Sequence, residues 1–264
     1  MATANGAPPK RVVSINLCTD QLAMLIAQDG QLVSISDLAS DPRSSAMVNE
    51  AANYPVNHGL AEEIYLLRPD LVLAGRYARG ATVSMLRRLG IPVVVFDGVT
   101  QLDEIPARLR QMGDVLGQPA KGKAQAAGFE RRLAGFRAEV ERHPRAALYA
   151  ANSYTLGDQT LAGHILLAAG FGNVAADLGL HGGGTLPLEV LAMQAPDALV
   201  TSQPFPGASR SEEVLHHPII EQMRRSVPGT ALSGSDWICG TPFVLDAVAD
   251  MVTLREQIEK VGEE

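Results

Sequence analysis

Two stretches of this chain repeat one pattern. Residues 60–74 read Leu-Ala-Glu-Glu-Ile-Tyr-Leu-Leu-Arg-Pro-Asp-Leu-Val-Leu-Ala, and residues 187–201 read Pro-Leu-Glu-Val-Leu-Ala-Met-Gln-Ala-Pro-Asp-Ala-Leu-Val-Thr. In each, a short helical segment headed by a glutamate is followed by Pro-Asp and then by an apolar run typical of a buried strand. A Pro-Asp pair before a strand is common, but Glu62 and Glu189 also stand at the same distance before their pairs. The repeat predicts two similar α/β lobes within one chain.

Apolar strand candidates alternate with helical segments on both sides of a stretch that has no strand candidate. The strand candidates are residues 11–16, 31–36, 71–74, 91–96, 146–150 and 198–201. The helix candidates are residues 21–27, capped by Thr19 or Asp20, and 60–67, 83–89, 105–116, 119–143, 161–169, 186–193, 212–225 with an interruption at Pro218, and 243–260. Uninterrupted apolar strands separated by helices are typical of parallel sheets covered on both faces. The predicted fold class is α/β, with a helix-only segment from about residue 102 to residue 143.

Composition limits the classes of function. The 264 residues are 46% hydrophobic and 19% charged, which is typical of a folded chain with one large domain or two smaller ones. The net charge of −7 argues against a nucleic-acid partner and against adsorption to anionic lipid, since both select clustered Lys and Arg. The first ten residues lack the basic and apolar regions of a signal peptide. They fit either a flexible leader or a mature chain whose signal was replaced by Met.

The sequence carries no catalytic motif, so we predict no catalytic residue and no cofactor. It has no phosphate-binding glycine loop, no nucleophile elbow and no spacing that ties Ser and His into a triad. A direct metal site needs two or three converging donors, and the histidines show no pairing at helical spacing. His181, beside Gly182, is the best single candidate for an axial metal ligand, although a solvated loop histidine is the favoured interpretation.

Candidate binding residues lie in the segments that follow strand candidates, because ligands of open α/β sheets bind at the carboxyl ends of the strands. These segments carry aromatic rings and guanidinium groups, which suit a flat or chelated anionic ligand. The candidates are Asn16, Cys18, Thr19, Arg43, Arg76, Tyr77, Tyr154, Phe205, Arg210 and Trp237. For Tyr154 and Phe205 a core position is an equal alternative, and for Arg76 a solvated loop position is the alternative.

Taken in order, these pieces resemble the periplasmic substrate-binding proteins of ABC importers for iron–siderophore, haem and corrinoid complexes. The resemblance covers about residues 11–260. It is carried by Arg11-Val-Val-Ser-Ile, Glu62…Pro69-Asp70, Leu86…Gly90-Ile-Pro-Val-Val, Ala168-Ala-Gly-Phe-Gly-Asn173, Glu189…Pro196-Asp197 and Trp237…Gly240-Thr-Pro242. It implies two Rossmann-like lobes, each with a central, mostly parallel sheet, bridged by a single long helix. The implied boundaries are residues 11–117, 118–144 and 145–264.

The resemblance also implies a function. Such a protein is no enzyme: it is a periplasmic monomer that captures a metal chelate in the inter-lobe cleft and delivers it to the permease dimer of an ABC transporter. In the family an exposed glutamate on each lobe docks into arginine-lined pockets of the permease, and Glu62 and Glu189 hold the matching positions. The alternative for both is a plain acid at a helix start. A ferric siderophore ranks first as cargo, a corrinoid such as cobalamin second, and haem third.

Three further points stay open at the level of sequence. A direct divalent-metal or haem-binding protein is one alternative function. A two-domain enzyme of nitrogenase-component-like architecture is another, but two cysteines are too few for cluster ligation. The periplasm is oxidising, so Cys18 and Cys239 form either a disulfide that spans the lobes or two buried free thiols.

Overall fold

The computed structural model describes residues 7–78, 80–136, 142–202, 207, 209–231 and 234–262. The chain divides into two compact units. The N-terminal unit comprises residues 1–99, 103–130 and 238–242, and the C-terminal unit comprises residues 100–102, 131–237 and 243–264. Among the described residues, no helix combines the length and the apolar character that crossing a membrane requires.

The N-terminal unit is built on a five-stranded parallel sheet. Its strands are β1 (Val12–Ser14), β2 (Leu32–Ser36), β3 (Val56–Asn57), β4 (Leu71–Gly75) and β5 (Val93–Phe96), in the order β3-β2-β1-β4-β5. Its helices are α1 (Leu17–Ile26), α2 (Val48–Ala51), α3 (Ala61–Leu66), α4 (Gly80–Arg88) and α5 (Ile105–Val115), and the division between the units falls within α6 (Pro119–Phe136). Val13, Ile64, Val72 and Leu86 are fully buried in one core cluster. The central strands are thus apolar because helices cover them.

The C-terminal unit has a four-stranded parallel sheet and a small antiparallel pair. Its strands are β6 (Arg145–Tyr149), β7 (Tyr154–Thr155), β8 (Gly172–Asn173), β9 (Gly184–Thr185), β10 (Ala198–Thr201) and β11 (Gly229–Ala231). The parallel sheet has the order β11-β10-β6-β8, and β7 pairs with β9. Its helices are α7 (Leu161–Ala168), α8 (Val174–Asp177), α9 (Leu188–Gln194), α10 (Pro218–Ser226) and α11 (Val244–Gly262). Tyr149, Leu191, Leu199 and Leu215 are buried in its core.

The repeat seen in the sequence extends to the topology of the sheets. The order β8-β6-β10-β11 in the C-terminal unit corresponds to β2-β1-β4-β5 in the N-terminal unit. In both, the first strand connects through a helix to a neighbour on one side, and the chain then returns to the other side. The predicted α/β class with parallel sheets is therefore confirmed. In each unit the strand order reverses beside the first strand, at β1/β4 and at β6/β10, and such a reversal is where open α/β sheets bind ligands.

The long middle helix and the unit boundaries differ from those expected. Helix α6 is described as Pro119–Phe136, residues 137–141 lie outside the described residues, and residues 142–144 are not helical. The expected bridge at 118–144 therefore extends too far. Its last residue, Pro144, disfavours helical backbone at the residue before it. The boundary between the units also departs from 117 and 145, because residues 238–242 group with the N-terminal unit.

Several local details were missed from sequence. Helix α1 is capped by Asn16, whose side-chain oxygen accepts from the backbone nitrogens of Cys18 and Thr19 at 3.1 Å and 3.4 Å, and not by Thr19 or Asp20. Strands β3, β7, β8 and β9 have two residues each, which is too short for a period-two pattern. By contrast, the interruption expected at Pro218 in the helical segment 212–225 is found: a 3-10 turn at Arg210–His216 is followed by α10, which begins at Pro218.

Candidate functional site

At the carboxyl edge of the N-terminal sheet, the segments after β1 and β4 lie directly against each other. A Cβ built on Gly75 comes within 2.8 Å of Cγ of Asn16, so the half-buried Asn16 side chain occupies the space beside this glycine. The amide oxygen of Asn16 also caps α1. Close packing at the topological switch point therefore requires glycine at position 75. Asn16 is held both by this packing and by its capping bonds to α1.

A disulfide joins Cys18, in the first turn of α1, to the buried Cys239. Both residues belong to the N-terminal unit. The bond therefore lies within one unit, so neither of the two alternatives from sequence, a disulfide that spans the lobes or two free thiols, is found. Beside it, the hydroxyl of Thr241 donates to the side-chain oxygen of Gln21 at 3.3 Å, and both groups are buried. Residues 238–242 are thus fastened to α1 by a covalent bond and a polar contact.

Below this edge lies a layer of buried polar groups. The hydroxyl of Thr19 is 2.8 Å from that of Ser14 and donates to the carbonyl of Asn16 at 2.9 Å. The Asp20 carboxylate accepts from the backbone nitrogen of Ser36 at 3.2 Å and from the Ser36 hydroxyl. Burial raises the pKa of Asp20 to about 7, against the lowering effect of the serine hydrogen bonds. Thr19 has no exposed surface to offer a ligand, being 1% exposed.

The turns after β2 and β4 carry arginines of the N-terminal unit. Arg76 follows β4 and pairs with Asp97 at 3.3 Å, both on the surface, and Tyr77 beside it is almost fully exposed. A pocket of about 510 Å³ opens there, lined in part by Arg76, Arg87 and Arg88. Arg43 is half-buried in the turn after β2 and donates its backbone N–H to Asp41 at 3.0 Å. Guanidinium groups in an open pocket suit an anionic ligand.

The carboxyl edge of the C-terminal unit is built differently, with an extra segment between β6 and α7. Asn152 and Ser153 there take left-handed backbone, with φ of 56° and 57°, which is strained for residues with a side chain. They lead directly into Tyr154, an exposed aromatic on the β7–β9 pair. The Tyr154 hydroxyl would be 3.1 Å from a Cβ on Gly183, so the ring lies against the loop before β9. Aromatic surface is thus held at this edge by a constrained backbone.

That loop also holds His181 against a carboxylate. Its Nδ1 is 2.8 Å from Oδ1 of Asp158, and both side chains are partly exposed. The backbone of His181 is fixed too, because its carbonyl accepts from the N–H of Gln159 at 2.9 Å. Among the described residues, no three His, Cys, Asp or Glu side chains converge as a metal site would need.

The remaining candidates of the C-terminal unit differ in their exposure to solvent. Arg210 is exposed at the start of the 3-10 turn that ends at His216. Trp237 is only 8% exposed, so it is a buried residue and not the open binding surface expected from sequence. Phe205 lies outside the described residues.

Glu62 is exposed in the first turn of α3, and the last turn of this helix reaches the opposite, amino edge of the N-terminal sheet. The carboxyl end of α3 is held by Arg11 and Asp70, a pair of residues that we call an Arg–Asp lock. The Arg11 N–H donates to the Asp70 carboxylate at 3.0 Å, and the Asp70 N–H donates to the Arg11 carbonyl at 3.0 Å. The Arg11 guanidinium donates to the carbonyls of Leu67 and Arg68 at the end of α3, at 2.8 Å and 3.2 Å. A cation at a helix carboxyl end is stabilising.

The C-terminal unit repeats this lock with Arg145 and Asp197. The Arg145 N–H donates to Asp197 at 2.8 Å, the Asp197 N–H donates to the Arg145 carbonyl at 2.9 Å, and the guanidinium donates to the Gln194 carbonyl at 2.9 Å. Arg145 additionally donates to the Gln194 side chain at 2.7 Å and to Asp177 at 2.9 Å. Here the lock fixes α9, which carries the exposed Glu189 in its first turn.

Large apolar side chains are exposed beside both glutamates. Leu60, Tyr65 and Leu66 flank Glu62, and Met193 lies one turn after Glu189. A groove of about 630 Å³ runs beside α9 in the C-terminal unit, lined in part by Ala192, Met223 and Ile258. Each glutamate thus stands on a short, fixed helix beside exposed apolar side chains.

A family model described as periplasmic binding protein matches residues 12–224. This chain belongs to the periplasmic binding protein family. A cobalamin-binding protein of Halobacterium salinarum is 30% identical over 199 residues, which is 73% of this chain and 54% of that protein. A vitamin B12-binding protein of Pectobacterium carotovorum is 28% identical over 185 residues, covering 67% and 66% of the two chains. The chain spans about half the length of the first of these relatives.

Solved structures of the family share the fold. The periplasmic heme-binding protein RhuT of Roseiflexus sp. RS-1 superposes with a TM-score of 0.77 at 20% identity, over 94% of this chain and 98% of that one. The periplasmic vitamin B12 binding protein BtuF of Vibrio cholerae gives a TM-score of 0.73 at 21% identity, over 96% and 99% of the chains.

Within this family fold, the structure groups the predicted residues by unit and edge. Asn16, Cys18 and Arg76 follow β1 and β4, whereas Tyr154 lies on the small antiparallel sheet of β7 and β9 in the C-terminal unit. Sequence reasoning did not identify the buried Asp20 as a titrating group, although an acid within an apolar helix indicates a buried carboxyl group. It also missed Asp158 as the partner of His181, because the two are 23 residues apart and meet only through the β7–β9 pair.

Proposed function

We propose that this chain is the substrate-binding component of an ABC importer and that its cargo is a corrinoid. The observation that carries the proposal is the matched pair of exposed glutamates, each in the first turn of a short helix held by an Arg–Asp lock. An importer permease made of two equivalent subunits needs two equivalent contacts on its binding protein. The two units supply such contacts, one each.

A corrinoid takes first place over the ferric siderophore that ranked first from sequence. The curated relatives are named for cobalamin or vitamin B12, including one that is 30% identical. The carboxyl edges support a large, partly apolar cargo: Tyr77 and Tyr154 are exposed aromatics, and Arg76 lines an open pocket. Aromatic faces suit a planar macrocycle, and arginine suits its polar side groups. Haem, the cargo named for several structural neighbours, is the second candidate.

Docking and location follow from the same assignment. Glu62 and Glu189 meet arginines of the permease, and the apolar side chains around them exclude water from the contact. The protein works in the periplasm, and its role is capture and delivery without chemical change of the cargo.

Direct titration of the purified protein tests the cargo. Cyanocobalamin, cobinamide, haemin and a panel of ferric siderophores are each added while heat of binding and Trp237 fluorescence are followed. We expect a 1:1 complex with a corrinoid, with a dissociation constant below about 1 μM. Tight binding of a siderophore alone would contradict the corrinoid and keep the importer. No binding in any arm, combined with turnover of a small substrate, would overturn the binding-protein function.

A further inference from the structure

A histidine–carboxylate pair at the carboxyl edge of the C-terminal unit has the geometry of a prepared metal ligand. Nδ1 of His181 is 2.8 Å from Oδ1 of Asp158, and the side chains are 51% and 33% exposed. A carboxylate on one ring nitrogen fixes the tautomer and orientation of the imidazole and raises the basicity of the other nitrogen. The nitrogen turned away from Asp158 is Nε2, which therefore carries the lone pair for a metal.

The backbone that carries this imidazole is immobilised. The His181 carbonyl accepts from the N–H of Gln159 at 2.9 Å, just before α7 begins. Gly157 packs its Cα against the carbonyls of Leu180 and His181, where a side chain has no room. A metal ligand held by a fixed backbone and a second hydrogen bond loses little conformational entropy when it binds. A loop histidine that is free in solvent would lose more.

The neighbourhood of the pair suits a flat ring. The phenol of Tyr154 lies against Gly183, two residues after His181, and it is exposed. Gly183 has a positive φ of 97°, which gives this stretch of the loop a path that other residues rarely adopt. A donor nitrogen beside an aromatic face and a small-residue loop matches a planar macrocycle with its metal at the centre.

We infer that Nε2 of His181 coordinates the central metal of a macrocyclic cargo at an axial position, with Asp158 as its positioning residue. The cobalt of a corrinoid and the iron of haem share the required chemistry, an exchangeable axial position. A ferric siderophore that fills all six positions of its iron has no place for this ligand. The inference rests on the proposed function. It adds a residue that distinguishes cargo with an exchangeable axial position from cargo without one.

Visible absorption tests the inference with three probes. Aquacobinamide and haemin each have an exchangeable axial position, whereas cyanocobalamin has both axial positions filled. The wild-type protein is expected to shift the spectra of aquacobinamide or haemin to the form with a nitrogen ligand. His181→Ala removes that shift and weakens binding of the same probe about 10- to 100-fold. Cyanocobalamin is expected to show no nitrogen-ligand shift with either protein, and equal thermal unfolding of the two proteins shows that the variant is folded.

The chain supplies a matched control. His58 pairs with Glu63 at 3.2 Å, with side chains 62% and 31% exposed, but it lies beside α3 in the N-terminal unit. His58→Ala is expected to leave both spectrum and affinity unchanged. Asp158→Asn is expected to retain the nitrogen-ligand spectrum with about 10-fold weaker binding, and added imidazole is expected to restore the spectrum of His181→Ala.

The outcomes separate this inference from the proposed function. If the wild-type protein binds aquacobinamide and haemin without a nitrogen-ligand spectrum, His181 is no axial ligand and the importer function stands. An unchanged spectrum in His181→Ala overturns the assignment in the same way. If no macrocycle and no siderophore binds at all, both the inference and the proposed function fail.

Discussion

The amino and carboxyl edges of the two sheets differ in how far they repeat. At the amino edges, the locks Arg11–Asp70 and Arg145–Asp197 share the same hydrogen bonds. In each, the arginine N–H donates to the aspartate carboxylate and the aspartate N–H donates to the arginine carbonyl, while the guanidinium donates to a carbonyl at the end of a glutamate-bearing helix. At the carboxyl edges, the described residues differ between the units: one edge has a disulfide and the other has a two-stranded antiparallel sheet. This contrast fits the proposed function, in which the permease presents two equal surfaces and the cargo has two unequal faces.

The strongest test of this contrast removes both of the proposed docking acids. Glu62→Ala with Glu189→Ala is expected to weaken binding to the permease about a thousandfold, since each loses a charge-assisted contact of roughly 2 kcal/mol. Cargo affinity is expected to stay unchanged. Affinity for the permease in proteoliposomes and cargo titration measure the two. The exposed acids Glu50 and Glu256 are matched controls, and a double alanine variant of these that binds as weakly would remove the special role of the locked helices.

The carboxyl edge of the N-terminal unit is expected to titrate, because burial raises the pKa of Asp20 to about 7. The unfolded chain loses this proton near pH 4. Between pH 4 and pH 7 the folded state therefore holds more protons, and stability falls as the pH rises, by roughly 3 kcal/mol. Asp20→Asn is expected to flatten that slope. Urea unfolding at several pH values measures it, and equal slopes in both proteins would contradict the shift.

The close packing at the same edge gives a third test. Gly75→Ala is expected to cost about 2 kcal/mol, because its Cβ would collide with the Asn16 side chain. In the background Asn16→Ala the cost is expected to shrink, so the pair should show coupling in a double-mutant cycle of unfolding free energies. Gly128→Ala, in α6 with open space around the new Cβ, is the control and is expected to stabilise by about 0.5 kcal/mol.

The two locks are expected to differ slightly in strength. Arg145→Ala is expected to cost about 2 kcal/mol and Arg11→Ala about 1 kcal/mol, because Arg145 makes two further bonds, to the Gln194 side chain and to Asp177. Urea unfolding measures both. Arg225→Ala, at an exposed position, serves as the control. Equal costs for both arginines would mean that the extra bonds of Arg145 contribute nothing.

The sequence predicted the repeated parts of the molecule and missed most of what is particular to one unit. The paired segments around Pro69 and Pro196 were found because a helix, a Pro-Asp pair and a buried strand leave a local pattern. The cap at Asn16 was missed because Thr19 and Asp20 are equally good caps by residue type. Asp158 and His181 meet only through chain folding, so no local period reveals them.

Burial was the least predictable property of the candidate site. Trp237 and Thr19 have the residue types of a binding surface, yet both are covered. A tryptophan in a loop and a tryptophan in a core have the same local sequence, and only tertiary packing decides between them. The pairing of the cysteines was open for the same reason: oxidation requires proximity, which spacing along the chain does not report.

The disulfide has a consequence for the integrity of the polypeptide. It closes a covalent ring of the chain between Cys18 and Cys239, with a sequence separation of 221. A protease that cuts one loop within this ring leaves both fragments in a single covalent molecule, released only by a reductant. A protein cut once within this ring thus stays in one piece until the disulfide is reduced.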